Sequence, residues 1–248
     1  ENNIINDNQK TIKKYINFRN NDDLFIASNN NNGLIKNFYN GKIDSLKIYD
    51  RIVKIELNKK SPKGFAEWDF SKFISTDKIF DKSINKLNGK LINHPTRAVT
   101  GYNWTENNQN WKINSTKHSS IHFHEDDLSD CNWETDFKFK IPNKMKSGIY
   151  AVKLSNRKDE FYIPFCVNPK KISKKNKILF LMPTASYLAY ANNRIGIDVP
   201  ETELVCGRLI EINKEDLFLQ EHPELGLSFY DLHNDGSPVF YSSKKRPI

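Results

Sequence analysis

The sequence predicts a mainly β chain that passes into an α/β segment near its C-terminal end. Residues 10–58 and 118–168 carry short alternating apolar and polar runs divided by Asn, Gly and Pro turn signals, the pattern of antiparallel strands. A lysine-rich stretch, NPKKISKKNK at 168–177, then interrupts the pattern. Behind it comes a continuous apolar run, ILFLMP at 178–183, which suits a parallel strand covered on both faces.

Each element follows from its residues. DLFIAS at 23–28 and LIKNFYNGKIDSLKIYD at 34–50 read as strands of a β-sandwich, with SNNNNG at 28–33 a solvated loop between them, because so polar a tract has no apolar surface to bury. FAEWDF at 65–70 and the turn KLNGKL at 86–91 extend the same sandwich. In the second β region, SSIHFHEDDL at 119–128, DFKFKIP at 136–142, SGIYAVKL at 147–154 and EFYIPFCV at 160–167 are four strand-like runs. IPNKMKSGIYAVKL at 141–154 has the pattern of an immunoglobulin-like edge, where Pro and Gly bracket an alternating strand. The lysine-rich stretch reads as a solvated linker. The expected division is therefore a β-sandwich over 1–110, an immunoglobulin-like β unit over 111–169, and the beginning of an α/β domain over 170–248.

Composition narrows the function classes. The 248 residues are 38% hydrophobic, and no apolar run approaches the ~20 residues that a membrane-spanning helix needs. The opening stretch ENNIINDNQK lacks the apolar core of a signal peptide, so a cytoplasmic location is expected. Three cysteines, Cys131, Cys166 and Cys206, are far apart and show no paired metal-binding spacing. The formal charge of +8 resides in linkers and turns without interleaved aromatics, which argues against a nucleic-acid partner.

Two constellations carry candidate chemistry. His122 and His124 lie two apart in IHFHEDDL, so a strand projects both rings from one face, beside Glu125, Asp126 and Asp127. Such a group suits either a divalent metal or a structural network in which carboxylates hold the imidazoles, and the second reading is the expectation. Tyr187 and Tyr190 are i, i+3 neighbours if their segment is helical, and Tyr230 and His233 precede the Asp235-Gly236 turn. Their place after an apolar strand matters, because ligands of open α/β sheets bind beyond the carboxyl ends of the strands.

A family resemblance adds to this reading. FYNGKIDSLKIYDRIV at 38–53 is similar to the late-strand signature of concanavalin-like (laminin-G-like) jelly rolls. That run together with HPTRAVTGYNW, SSIHFHEDDL, SGIYAVKL, PTASYLAYANNR and EHPELGLSFYDLHNDGSPVFYSSKKRPI resembles, in order over nearly the whole chain, the large subunit of the N,N-dimethylformamidase family. The resemblance implies hydrolysis of a small N-substituted formamide to an amine and formate. It implies one iron held by two tyrosines and a glutamate in a glutamine-amidotransferase-like α/β domain. It also implies a hetero-oligomer with a small helical subunit.

On that resemblance Tyr187 and Tyr230 match the iron ligands, Tyr190 is the reserve for the first position, and His233 and Asn192 are candidates for supporting them. The glutamate belongs to a His-Pro-Glu-Tyr motif expected beyond Ile248, so His222-Pro223-Glu224 is not assigned that role. The alternative is a non-catalytic β-sandwich binding or assembly module. Residues 178–248 are expected to pack against further protein, either the rest of the large subunit or the small one.

Overall fold

The computed structural model describes residues 23–54, 60–105, 109–169, 178, 180–194, 207 and 212–247. Within them the chain is mainly β, with antiparallel pairing throughout. No helix among the described residues is long and apolar enough to cross a membrane. The lysine-rich stretch beyond residue 169 and Cys206 lie outside the described residues. The chain divides into two compact units, one made of 1–131 and 188–248, the other of 132–187.

The first strands among the described residues of the first unit form a hairpin, β1 (Asn29–Asn31) with β2 (Leu34–Lys36). The polar tract expected as a loop thus supplies a strand and a turn. Asn32 and Gly33 both have positive φ, 53° and 86°, the backbone of a tight two-residue hairpin turn that Asn-Gly adopts readily. DLFIAS itself carries no strand, although Ile26 packs on the core.

Two sheets follow. β3 (Gly41–Asp44), β8 (Thr96–Val99) and β9 (Ser120–Phe123) form one, with β9 in the middle. β4 (Lys47–Ile48), β5 (Ala66–Asp69), β6 (Lys78–Asp81) and β7 (Gly89–Lys90) form the other, in sequential order. Their inner faces meet in a core of Ala66, Trp68, Phe70, Ile79 and Ile121, flanked by Ile43, Leu46, Leu91 and Phe123. Alternation along β5 explains it: Ala66 and Trp68 are buried while Glu67 and Asp69 are not. The strand at 120–123, expected in a second β unit, belongs to this sandwich because Ile121 pairs with Ile43 and carries its side chain into the core. A register shift between Thr96 and Val99, with Ala98 at a φ of 61°, bends β8 where it meets β9.

The second unit holds a long hairpin, β10 (Gly148–Ser155) with β11 (Glu160–Val167). Its turn is held by Asn156, whose Oδ1 accepts the backbone N–H groups of Lys158 and Asp159, each at 2.7 Å. Both strands were legible in the sequence. The run 136–142 forms no strand despite its alternation: Phe137 and Phe139 stay half exposed, and no ladder partner lies beside them among the described residues. The described residues of the apolar run at 178–183 likewise show no strand, and Ile178, Phe180 and Leu181 are exposed. A strand is stabilised by its neighbours on both sides, and apolarity alone does not make one.

Two α-helices, α1 (Thr184–Tyr190) and α2 (Lys214–Glu221), and two single-turn 3-10 helices, Ser115–Lys117 and Pro223–Leu225, complete the described elements. Asp216 accepts the backbone N–H of Asn213 at 3.2 Å, which satisfies a free donor at the start of α2. Residues 222–247, part of the same first unit, pack back on residues 129–131. Cys131 N–H donates to the Lys245 carbonyl at 3.0 Å, Ser243 Oγ to that of Ser129 at 2.6 Å, and Lys245 pairs with Asp130 at 2.9 Å.

Candidate functional site

The end of α1 meets the loop that carries Tyr230. The rings of Tyr190 and Tyr230 stack with centroids 4.3 Å apart and planes inclined by 20°. Tyr190 holds the Tyr230 phenol above its ordinary pKa, through a hydrogen bond first and then through charge. Ser228 fixes the loop by accepting the Tyr230 N–H at 3.0 Å, and Asp231 accepts the N–H of buried Ser228 at 2.8 Å. The Phe229 N–H reaches the Ala189 carbonyl of α1 at 3.2 Å. Tyr187 stands one turn earlier on α1, with its side chain more than half exposed.

Arg246 and Asn192 tie the surrounding chain together. The buried Arg246 guanidinium donates to the carbonyls of Ala191, Gly226 and Ser243. Asn192, at a φ of 60° that Asn tolerates, donates from its amide to the Pro247 carbonyl at 2.6 Å. His222 pairs with Glu224 at 2.7 Å.

A second constellation gathers three histidines. His122 Nε2 lies 2.8 Å from Asp235 Oδ2, and His124 Nδ1 lies 3.2 Å from Asp127 Oδ1. His233 comes from beyond residue 230 to stack on His124, with centroids 3.7 Å apart and planes only 2° from parallel, while its Nδ1 meets Asp126 at 2.6 Å. Ser237 Oγ lies 2.9 Å from His124 Nε2 and donates to Asp235 at 2.6 Å. The expected carboxylate partners are thus present, but two of the group, His233 and Asp235, arrive from a segment over a hundred residues away. Nothing local to IHFHEDDL announces them.

The electrostatics follow from burial. His124 is pulled down to about 4, by desolvation first and then by the neighbouring His233 and His122. Asp127 is pushed up to about 7, again chiefly by burial. Both shifts favour the uncharged form of the His124–Asp127 pair. Asp235 moves the other way, down to about 2, because Ser237 donates to its carboxylate. Asp126 is also lowered: burial opposes its ionisation, but the His233 hydrogen bond outweighs it.

A family model described as "N,N-dimethylformamidase beta subunit-like, C-terminal" matches residues 96–248. Two curated relatives, each named N,N-dimethylformamidase beta subunit, come from Paracoccus aminophilus and Alcaligenes sp; each is 38% identical over 224 residues, which covers 85% of this chain. The chain belongs to the N,N-dimethylformamidase beta subunit-like family. It spans 29% of the length of those two relatives. The dimethylformamidase-type match contains all the residues just described, from His122 through Tyr187, Tyr190 and Tyr230 to Asp235.

Proposed function

We propose that this chain is part of the large subunit of an iron-dependent amidohydrolase that cleaves a small N-substituted formamide to an amine and formate. Family membership supports the amide chemistry, and the observation that carries the metal reading is the Tyr190–Tyr230 stack. Its donor chemistry fits the group: two phenols that stack and interact are hard oxygen donors, suited to an oxidised iron once deprotonated. The ligands are Tyr230 and a tyrosine of α1. Motif matching puts Tyr187 first in that place, and the stack makes Tyr190 its rival.

An amide without an N–H is a poor electrophile whose amine leaves reluctantly, and a bound iron supplies a Lewis acid for the carbonyl and an activated water. The chain's own residues do the positioning. Ser228 and Asp231 fix the backbone under Tyr230, and Arg246 gathers carbonyls from 191, 226 and 243, so that the end of α1 and the Tyr230 loop are held as one piece. The reading places this large subunit in the cytoplasm in a hetero-oligomer with a small helical subunit, and it gives the remaining donor to the rest of the large subunit.

The test is iron content, together with the visible phenolate-to-iron absorption, of the complete subunit assembly carrying Tyr187→Phe, Tyr190→Phe or Tyr230→Phe. Loss of iron and of the band in Y230F and in one α1 variant is expected. Full iron with an unchanged band in Y230F would overturn the assignment.

A further inference from the structure

We propose that His122, His124 and Asp235 form a binding site for one divalent transition-metal ion of the zinc class, separate from the tyrosine pair. The donor atoms of the three residues all lie within 4.8 Å of one another. Asp235 Oδ2 is 2.8 Å from His122 Nε2 and 3.9 Å from His124 Nε2. A tetrahedral ion with bonds of about 2.0–2.2 Å separates its ligands by about 3.3–3.6 Å. Each His–Asp separation would therefore change by roughly half an ångström or less to reach a coordination shell, with the imidazole nitrogens closing from within 4.8 Å of one another.

Ring orientation selects this donor set over the overlapping one of His124, Asp127 and His233. An imidazole lone pair lies in the plane of its ring. His124 and His233 stack face to face within 2°, so their lone pairs run in parallel planes and cannot converge on one ion without a large turn. The His122 and His124 rings are inclined by 50° at a centroid separation of 4.1 Å, and their planes intersect. His233 instead packs against the face of His124 and is anchored by Asp126.

The supporting shell is of the kind metal-bound histidines use. His124 turns its Nδ1 to the Asp127 carboxylate, which leaves Nε2 facing Asp235, and Asp127 is itself fixed by the His124 N–H at 2.9 Å. The His124 imidazole is nearly inaccessible and that of His122 is 13% exposed, while the Asp235 side chain is 30% exposed, so an ion would enter past the carboxylate. Ser237 Oγ occupies the hydrogen-bonding position on His124 Nε2 and would give it up to the ion. Three protein ligands leave the fourth position open to water or a small ligand.

The test uses the complete subunit assembly, untagged, stripped by chelator and dialysed at neutral pH against micromolar Zn²⁺. One zinc per chain is expected, weakened at least tenfold in His122→Gln and in Asp235→Asn, and retained when Tyr190 and Tyr230 are both changed to Phe. Asp235→Asn alters the exposed turn and keeps the fold measurable if His122→Gln does not. Should both variants unfold, Co²⁺ on the unaltered assembly decides: intense visible bands of a four-coordinate ion support the site, and the weak spectrum of a six-coordinate one overturns it. Absence of stoichiometric zinc, binding indifferent to Asp235→Asn, or binding lost with the two tyrosines would each overturn it as well.

Discussion

His233 and Asp126 meet at 2.6 Å across 107 residues of sequence, and both side chains are almost completely buried. The contact fastens the C-terminal segment to the loop after β9, with Asn234 adding bonds to Asp126 and Glu125. Removing one member of a buried hydrogen-bonded pair leaves the other unsatisfied, at about 1–3 kcal/mol. Asp126→Ala is therefore expected to lower the chain's unfolding free energy by that order in urea titrations, and to increase hydrogen exchange at residues 231–237 first. Unchanged exchange there would show that the pair does not hold the segment.

A second expectation concerns acid stability. Asp81, opposite Trp68 in the β5–β6 pair, is inaccessible, and burial alone would raise its pKa. It is nevertheless lowered from 3.8 to about 2, because it accepts bonds from Ser83 Oγ and from the N–H groups of Glu67, Ser83 and Leu87. The folded state thus binds this proton less readily than the unfolded one. The contribution, about 2–3 kcal/mol, is present above pH 4 and is lost as the pH falls towards 2. Asp81→Asn should lower stability at pH 6 by about that amount and remove this part of the acid dependence, as followed by urea unfolding at stepped pH. Parallel pH profiles for the two proteins would contradict it.

What the sequence disclosed was local. The FAEWDF strand, the turn at 86–91 and the two β10–β11 runs are all signalled within a few residues, and each has its element. The common face of His122 and His124 was legible for the same reason. The arrival of His233 and Asp235 was not, since it depends on residues 222–247 folding back on Cys131, Ser129 and Asp130. The run at 136–142 marks the opposite error: apolar pattern announces burial, but a strand also needs a partner edge. Tyr190 shows how side-chain direction decides among neighbours, for it stacks on Tyr230 while Tyr187, the motif's first tyrosine, sits a turn away.

Gly101 supplies the last expectation. Its N–H donates to the Lys117 carbonyl at 2.8 Å, which brings it against Ser119 and the end of β3. There Asp44 Oδ2 accepts the Tyr102 N–H at 2.9 Å and the Ser119 hydroxyl at 3.1 Å. A Cβ on residue 101 would collide with Ser119 Oγ and stand 2.7 Å from Asp44 Oδ2, so the obstacle is steric and lies in the side chains that join β3 to this crossing. Gly101→Ala is expected to cost about 1–3 kcal/mol, the range for overpacking a tight site. Ser119→Ala removes one of the two obstructing atoms and leaves Asp44 in place. The double variant should therefore be more stable than the sum of the two single losses, by about 0.5–1 kcal/mol in a double-mutant cycle read from urea unfolding. Strict additivity would mean that Ser119 yields freely and that Asp44 alone excludes a side chain at residue 101.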